Sequence, residues 1–172
     1  ESRFLEDFGK GPDELFSEFE RSAVAAASIS QVHVARLKTG EKVAVKVQYP
    51  DINRMVRSDL KTFRRILQII AYFLPAHGLD VVYTEISQML LAELDFAEEA
   101  RNLRLIAANF ADEEELPVAF PGVVDDLSTS HILTTSYIEG IKVSDVDHLR
   151  AAGYDTGHLG RQIVDIYCKQ IF

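Results

Sequence analysis

Two short stretches decide the fold of this chain: AAASISQVH at residues 25–33 and VAVKVQYP at residues 43–50. The second stretch is an apolar strand pattern that contains a lysine. Because side chains alternate along a strand, the valines at 43, 45 and 47 share one face and Ala44 and Lys46 share the other. An unpaired ammonium is costly to bury, so Lys46 must reach solvent or face an anion. The small residues at 25–28 would let a phosphate approach closely, and together the two stretches predict a nucleotide-binding arrangement.

Composition bounds the class of protein. The chain has 172 residues, enough to bury the core of one domain. With 47% hydrophobic and 26% charged residues, no long disordered stretch is expected. The formal net charge of -9 argues against a surface that neutralises nucleic-acid phosphates, so no nucleic-acid partner is predicted. The single Cys168 cannot form an internal disulfide and is predicted to be a small, buried, inert side chain.

Neither a membrane span nor a signal peptide is predicted. The most apolar stretch, residues 66–74, is interrupted by Gln68 and is far shorter than the roughly 20 residues that a span needs. The first residues lack a signal-peptide pattern. They also lack a starting methionine, which is compatible with a targeting segment that has been cut away. The periodic segment at the other end carries no helix stop signal, which predicts a truncated helix. The protein is expected to be cytoplasmic or peripheral at a membrane.

Apolar periodicity and turn residues predict the order of the elements. An amphipathic helix is predicted within residues 1–20, followed by a hairpin of strands at 31–37 and 42–48. One long helix or two short ones over 51–74 follow, and after a break at 75–78 a second helical region runs from about 82 to 110. Two strands are then predicted, one near 123–126 and one at 131–138. Helices follow at 145–152 and from Asp155 or Thr156, either of which can cap the last one.

The second helical region carries an acidic cluster. At 100° per residue, Asp95 and Glu99 would fall on one stripe, with Glu93 pointing elsewhere. Like charges at this spacing repel, so either water screens the two carboxylates or a cation lies between them. A solvated helix face remains the alternative, especially for Glu98, which is spaced to pair with Arg101.

The order of these features is that of a protein-kinase N-lobe, hinge and first C-lobe helices. The predicted fold class is therefore α+β, a protein-kinase-like N-lobe with an antiparallel sheet and inserted helices. The N-lobe is assigned to residues 1–135, the hinge and linker to 136–144, and the start of a truncated helical C-lobe to 145–172. Together with ELDFAEEARN at residues 93–102, the two opening stretches resemble the UbiB-type atypical kinase-like family over nearly the whole chain.

The resemblance implies a set of site residues. Lys46 would pair with Glu99, while Glu93 and Asp95 would form the family's Glu-x-Asp motif and face a lysine upstream of this sequence. The nucleotide would lie against the alanine loop and the hinge. The loop side would supply Ala25, Ala26, Ala27, Ser28 and Gln31. The hinge side would supply Thr135 as the gatekeeper residue, and the Ser136 carbonyl and the Ile138 amide for hydrogen bonds to adenine. Alanine replaces glycine in this loop, so it should be stiffer, because alanine adopts positive φ only at a cost. Ser30 stands where family members often have glycine or alanine.

The resemblance also implies cofactors, partners and a function. ATP and Mg²⁺ would bind, with the metal ligands and the His-x-Asp-x-His-x-Gly-Asn catalytic loop expected after Phe172. The five histidines lack metal-ligand spacing, and no metal site is predicted within this sequence. The implied function is the ATP-binding portion of an atypical kinase or ATPase linked to ubiquinone (isoprenoid lipid) biosynthesis. The partners would be nucleotide, an isoprenoid lipid or membrane-associated biosynthetic enzymes.

Two activities are compatible with the resemblance. The Glu-x-Asp segment and an upstream motif would block a protein-substrate groove, which favours small-molecule phosphorylation or lipid-coupled ATP hydrolysis. The alternative is a catalytically inactive, pseudokinase-like module that binds nucleotide or lipid. The residues after Phe172 would discriminate between the two, because an enzyme needs a catalytic and a metal-binding aspartate there.

Overall fold

A computed structural model describes residues 1–73, 78–111 and 118–171. The predicted break at 75–77, Pro117, the acidic run at 112–115 and Phe172 lie outside the described residues. The helices are α1 (Ser2–Phe8), α2 (Pro12–Leu15), α3 (Ile52–Phe73), α4 (Leu79–Ala92), α5 (Phe96–Asn109), α6 (Val146–Ala151) and α7 (Thr156–Ile171). The strands are β1 (Glu18–Phe19), β2 (Ala25–Ala26), β3 (Ser30–Arg36), β4 (Lys42–Gln48) and β5 (Ile132–Ser136).

The strands form one antiparallel sheet of five strands in the order β1-β3-β4-β5, with β2 also paired to β3. The predicted hairpin is confirmed as β3 and β4, and its turn contains Gly40 at a φ of 95°, a conformation that glycine adopts readily. In this register Lys46 pairs with Val32 of β3 and Leu133 of β5. These three residues therefore share one face of the sheet.

The valine face of β4 forms the core. Val43, Val45 and Val47 are buried there in one cluster with Phe4 of α1 and Phe16. The single helix predicted within residues 1–20 is wrong, because this segment forms α1, α2 and β1. Gly9, at a φ of 65°, ends α1, and pairing with β3 extends residues 18–19 into a strand. The amino-terminal segment thus covers the valine face and leaves the Lys46 face open to other elements.

Of the two alternatives predicted over 51–74, the single long helix is present as α3, whereas the region from 82 to 110 is two helices, α4 and α5. Among the described residues, no helix is long and apolar enough to cross a membrane. One of the two predicted strands is present, β5. The other is a 3-10 turn at Asp125–Leu127, preceded by a single bridge between Val123 and Thr135.

The carboxyl-terminal helices begin where the sequence predicts. Asp145 caps α6 by accepting from the His148 N–H. Asp155 rather than Thr156 caps α7, and the N–H groups of His158 and Gly157 lower the pKa of its carboxyl. The prediction of a buried Cys168 is wrong, because its side chain is exposed on α7.

Candidate nucleotide-binding site

The face of the sheet opposite the valines lines a pocket of about 260 Å³. β4 contributes Ala44 and Lys46 to it, and α5 contributes Glu99. The remaining lining residues are Val32, Leu103, Pro121, Leu133 and Thr135. The strand register explains this set, because Val32 and Leu133 pair with Lys46 and Thr135 pairs with Ala44. The pocket is therefore apolar, with one ion pair at its edge.

That ion pair joins Lys46 to Glu99. The Lys46 Nζ donates to the two carboxylate oxygens of Glu99 at 2.9 and 2.6 Å. It also lies 4.5 Å from the ring centroid of Phe96, which is fully buried. The side chains of Lys46 and Glu99 remain 28% and 45% exposed, so water reaches the pair. A pair with this exposure adds little to folding stability but fixes the direction of the ammonium.

Glu93 and Asp95 lie on the connection between α4 and α5 and not on a helix face. Asp95 has extended backbone angles and caps α5, with its carboxylate accepting from the Ala97 N–H at 3.0 Å. The predicted stripe that joins Asp95 and Glu99 on one helix is therefore wrong. Glu93 is exposed at the end of α4. Within the described residues its carboxylate makes no ion pair or hydrogen bond, and the upstream lysine expected to face it stays a prediction.

The alanine loop is exposed. Ala25 and Ala26 form β2, and the Ala27 N–H donates to the Ser30 carbonyl at 2.8 Å, which closes a tight turn. Residues 25–28 are exposed, so they are not part of the core. Asp51 is the one non-glycine residue with positive φ among those described, so the loop contains no left-handed residue.

Gln31 and Ser30 do not line the pocket. Gln31 pairs with Val47, which puts it on the valine face of the sheet, so the structure does not bring it to the pocket. Ser30 is fully buried, and its hydroxyl has no partner among the described residues. An unsatisfied buried hydroxyl is destabilising, which explains why a smaller apolar residue would suit this position.

The end of β5 and the residues after it correspond to the predicted hinge. Thr135 lines the pocket, and the following Ser136 N–H donates to the Gly122 carbonyl at 2.8 Å. The Tyr137 N–H donates to the Lys42 carbonyl at 3.1 Å. Ile138 lies beyond the strand and is 51% exposed, and its N–H has no acceptor in the described part of the chain. This amide is free to donate to a ligand.

Two residues of the site were missed by the sequence analysis: Phe96, which lies under the ammonium, and Gln48, which binds the segment before α5. The sequence carries a signal for Gln48. This residue is polar, it ends an apolar strand, and strand alternation puts it on the same face as Lys46. The predicted contact between Glu98 and Arg101 is present as an ion pair. The described residues contain no group of His, Cys, Asp and Glu that could hold a metal ion.

An antiparallel sheet whose lysine pairs with a helix glutamate beside an apolar pocket defines a class, the protein-kinase-like fold. The sequence matches the ABC1 atypical kinase-like domain over residues 1–172, so the chain belongs to this family.

Relatives in distant organisms share this domain. The "Probable serine/threonine-protein kinase abkD" of Dictyostelium discoideum is 37% identical over 100% of this chain and 24% of its own length. The "AarF domain-containing kinase 1" of Drosophila melanogaster is 36% identical over 97% of this chain and 32% of its own. The "Probable protein kinase UbiB" of Vibrio atlanticus is 38% identical over 93% of this chain and 30% of its own. The chain thus spans a quarter to a third of the length of these relatives.

A solved structure has the same fold. Rv3197 of Mycobacterium tuberculosis, in its complex with erythromycin, aligns with a TM-score of 0.68 and 32% sequence identity. The alignment covers 86% of this chain and 37% of that chain. The similarity supports the protein-kinase-like fold and extends over most of the described elements.

Proposed function

We propose that this chain is the ATP-binding portion of an atypical kinase or ATPase. The observation that carries the proposal is the Lys46–Glu99 pair at the edge of an apolar pocket. An ammonium directed by a carboxylate is the arrangement by which protein kinases pair a lysine with the nucleotide phosphates. The family match supports the same class of activity.

Each part of the site has an expected task. The apolar walls formed by Ala44 and Leu133 would take the adenine ring, and the Ile138 N–H and Ser136 carbonyl would bond its edge. The alanine loop would cover the phosphates, and Lys46 would bind them. Mg²⁺, held by ligands expected after Phe172, would neutralise the phosphate charge when bound. The residues described here bind and orient the nucleotide, and the catalytic base is expected outside them.

The proposed pathway context is ubiquinone or another isoprenoid lipid. Relatives named UbiB support it, as does the family resemblance of the Glu-x-Asp segment. Glu93 is exposed beside the start of α5, where it could meet an upstream segment of the full-length protein. We propose small-molecule phosphorylation or lipid-coupled ATP hydrolysis, with an isoprenoid lipid or membrane-associated biosynthetic enzymes as partners.

Filling the pocket tests nucleotide binding directly. In the full-length protein, Thr135→Phe is expected to raise the Kd for ATP at least about tenfold, because the ring would occupy the space next to Ala44. Thr135→Ser, which removes one methyl group, is the matched control and should bind ATP nearly as the parent does. Calorimetric titration measures both, and an unchanged Kd in Thr135→Phe would contradict the proposed pocket. Tight binding without turnover would instead favour the pseudokinase-like module.

The alanine loop gives a second expectation. Ala26→Gly or Ala27→Gly should shift the ratio of ATP to ADP affinity by roughly two- to fivefold, since a glycine loosens the unbound backbone by about 0.4–1 kcal/mol. Ala23→Gly, in the exposed segment just before the loop, is the control and should leave the ratio unchanged. Titration with both nucleotides measures the effect. Equal ratios in all three variants would mean that these alanines do not act on the phosphates.

A further inference from the structure

Gln48 is the last residue of β4 and lies two positions beyond Lys46 on the same face of the sheet. It is 1% exposed, and a buried amide is unfavourable unless its polar atoms are bonded. Its Nε2 donates to the Leu94 carbonyl at 2.6 Å and, more weakly, to the Ser130 carbonyl at 3.4 Å. Its Oε1 accepts from the Asn53 Nδ2 at 3.3 Å. The amide therefore has partners on three separate segments.

Two of these partners, Leu94 and Ser130, lie where α5 begins, and Asn53 belongs to α3. Leu94 belongs to the connection that precedes the helix, and the Ser130 carbonyl also accepts from the Phe96 N–H at 3.0 Å. The α5 helix is thus attached to β4 at two points. The first is Gln48, before the first turn, and the second is the pair between Lys46 and Glu99, within the first turn.

We infer that Gln48 is a positioning residue that fixes the first turn of α5 against β4 and keeps Glu99 on Lys46. The inference rests on the proposed function in so far as this pair binds nucleotide. The ion pair is partly solvated and would hold the helix weakly by itself. Buried Phe96 and Ala100 of α5 cluster with Leu133 of β5 and keep the helix on the sheet, but apolar contact has no direction. A hydrogen-bonded amide does, so Gln48 sets where along β4 the helix starts.

The first test needs no nucleotide. Gln48→Met preserves side-chain length and removes the hydrogen bonds, so amide hydrogen exchange in residues 96–101 should become about tenfold faster. Exchange in α7 should not change. Asn53→Ala removes one outer contact and leaves the bonds to Leu94 and Ser130, so it should resemble the parent protein. Gln48→Asn, whose amide is one methylene too short, replaces Gln48→Met should that variant not fold. Unchanged exchange at the start of α5 would overturn the inference.

The second test asks whether Gln48 acts through Glu99. In the full-length protein, the Kd for ATP is measured for Gln48→Met, Glu99→Gln and the double variant. If the amide positions the carboxylate, the two losses overlap, and the double variant should bind ATP at least about threefold more tightly than the product of the single effects predicts. Additive losses would mean that Gln48 affects stability alone and would overturn the inference. A parent protein that does not bind ATP would instead refute the proposed function, while the exchange experiment would still decide the role of Gln48.

Discussion

Lys46→Met is expected to weaken ATP binding by the full-length protein at least about tenfold, with little change in melting temperature. The variant removes the ammonium that lies at the pocket edge, and a hydrogen bond to a charged group contributes roughly 1.5–3 kcal/mol. The fold should tolerate the change, because Glu99 is 45% exposed and water can solvate it once its partner is gone. Calorimetric titration with ATP and a thermal melt measure the two effects separately.

The chain provides a control cation on the neighbouring strand. Arg36 of β3 pairs with Glu18 at 3.3 Å, and neither side chain lines the pocket. Arg36→Met removes one positive charge and an exposed ion pair, so its ATP affinity should stay within about twofold of the parent. If Arg36→Met and Lys46→Met weakened binding equally, the effect would be one of net charge and the pocket assignment would fail.

The exposure of the Lys46–Glu99 pair limits how much a substitution there can change stability. A fully buried lysine would make each single substitution much worse than the double one, because the remaining charge would stay buried and unpaired. In the structure both side chains reach water, so this asymmetry should amount to less than about 1 kcal/mol in the free energy of unfolding. The pair is better understood as a means of directing the ammonium than as a source of stability.

Strand alternation predicted the face of Lys46 correctly, because this property depends on the backbone period alone. Gln31 shows the limit of the same reasoning. The alternation within β3 separates Gln31 from Val32 but does not say which of them shares a face with Lys46. That depends on the register between β3 and β4, which the Val32–Lys46 pairing fixes. A motif that spans both strands carries no information about this register, so it does not place Gln31 relative to Lys46.

The sequence pattern does not predict the boundary between α4 and α5, for a different reason. Leu90, Leu91 and Leu94 keep helical spacing up to the interruption, so apolar periodicity does not mark where α4 ends. The interruption is stabilised by tertiary hydrogen bonds, from the Gln48 amide to the Leu94 carbonyl and from the Phe96 N–H to Ser130. Residues 48 and 130 are far from the helix in sequence, and periodicity carries no information about them. Periodicity alone therefore predicts Asp95 on a helix face, and the preference of Asp for cap positions is the local signal for the break.

This corrected position of Asp95 sharpens the expectation for the Glu-x-Asp segment. In the full-length protein, Glu93→Gln and Asp95→Asn should each change ATP turnover or its Mg²⁺ dependence about tenfold or more, because we propose that both carboxylates act at the site. Neither should lower the melting temperature appreciably. Glu93 is exposed and its carboxylate has no partner among the described residues, and the amide oxygen of Asn can still accept from the Ala97 N–H.

Asp95→Ala separates the charge of this residue from its structural role. Alanine cannot cap α5, so this variant should lose about 1 kcal/mol of stability in addition to any effect on turnover. Asp145→Asn makes the same change at the cap of α6, whose carboxylate accepts from the His148 N–H, and should leave turnover unchanged. Glu113→Gln, outside the described residues, should also be silent. If Asp95→Asn turned over ATP like the parent while Asp95→Ala lost stability and activity together, Asp95 would be a helix cap alone. The acidic part of the site would then consist of Glu99 and, should its own variant respond, Glu93.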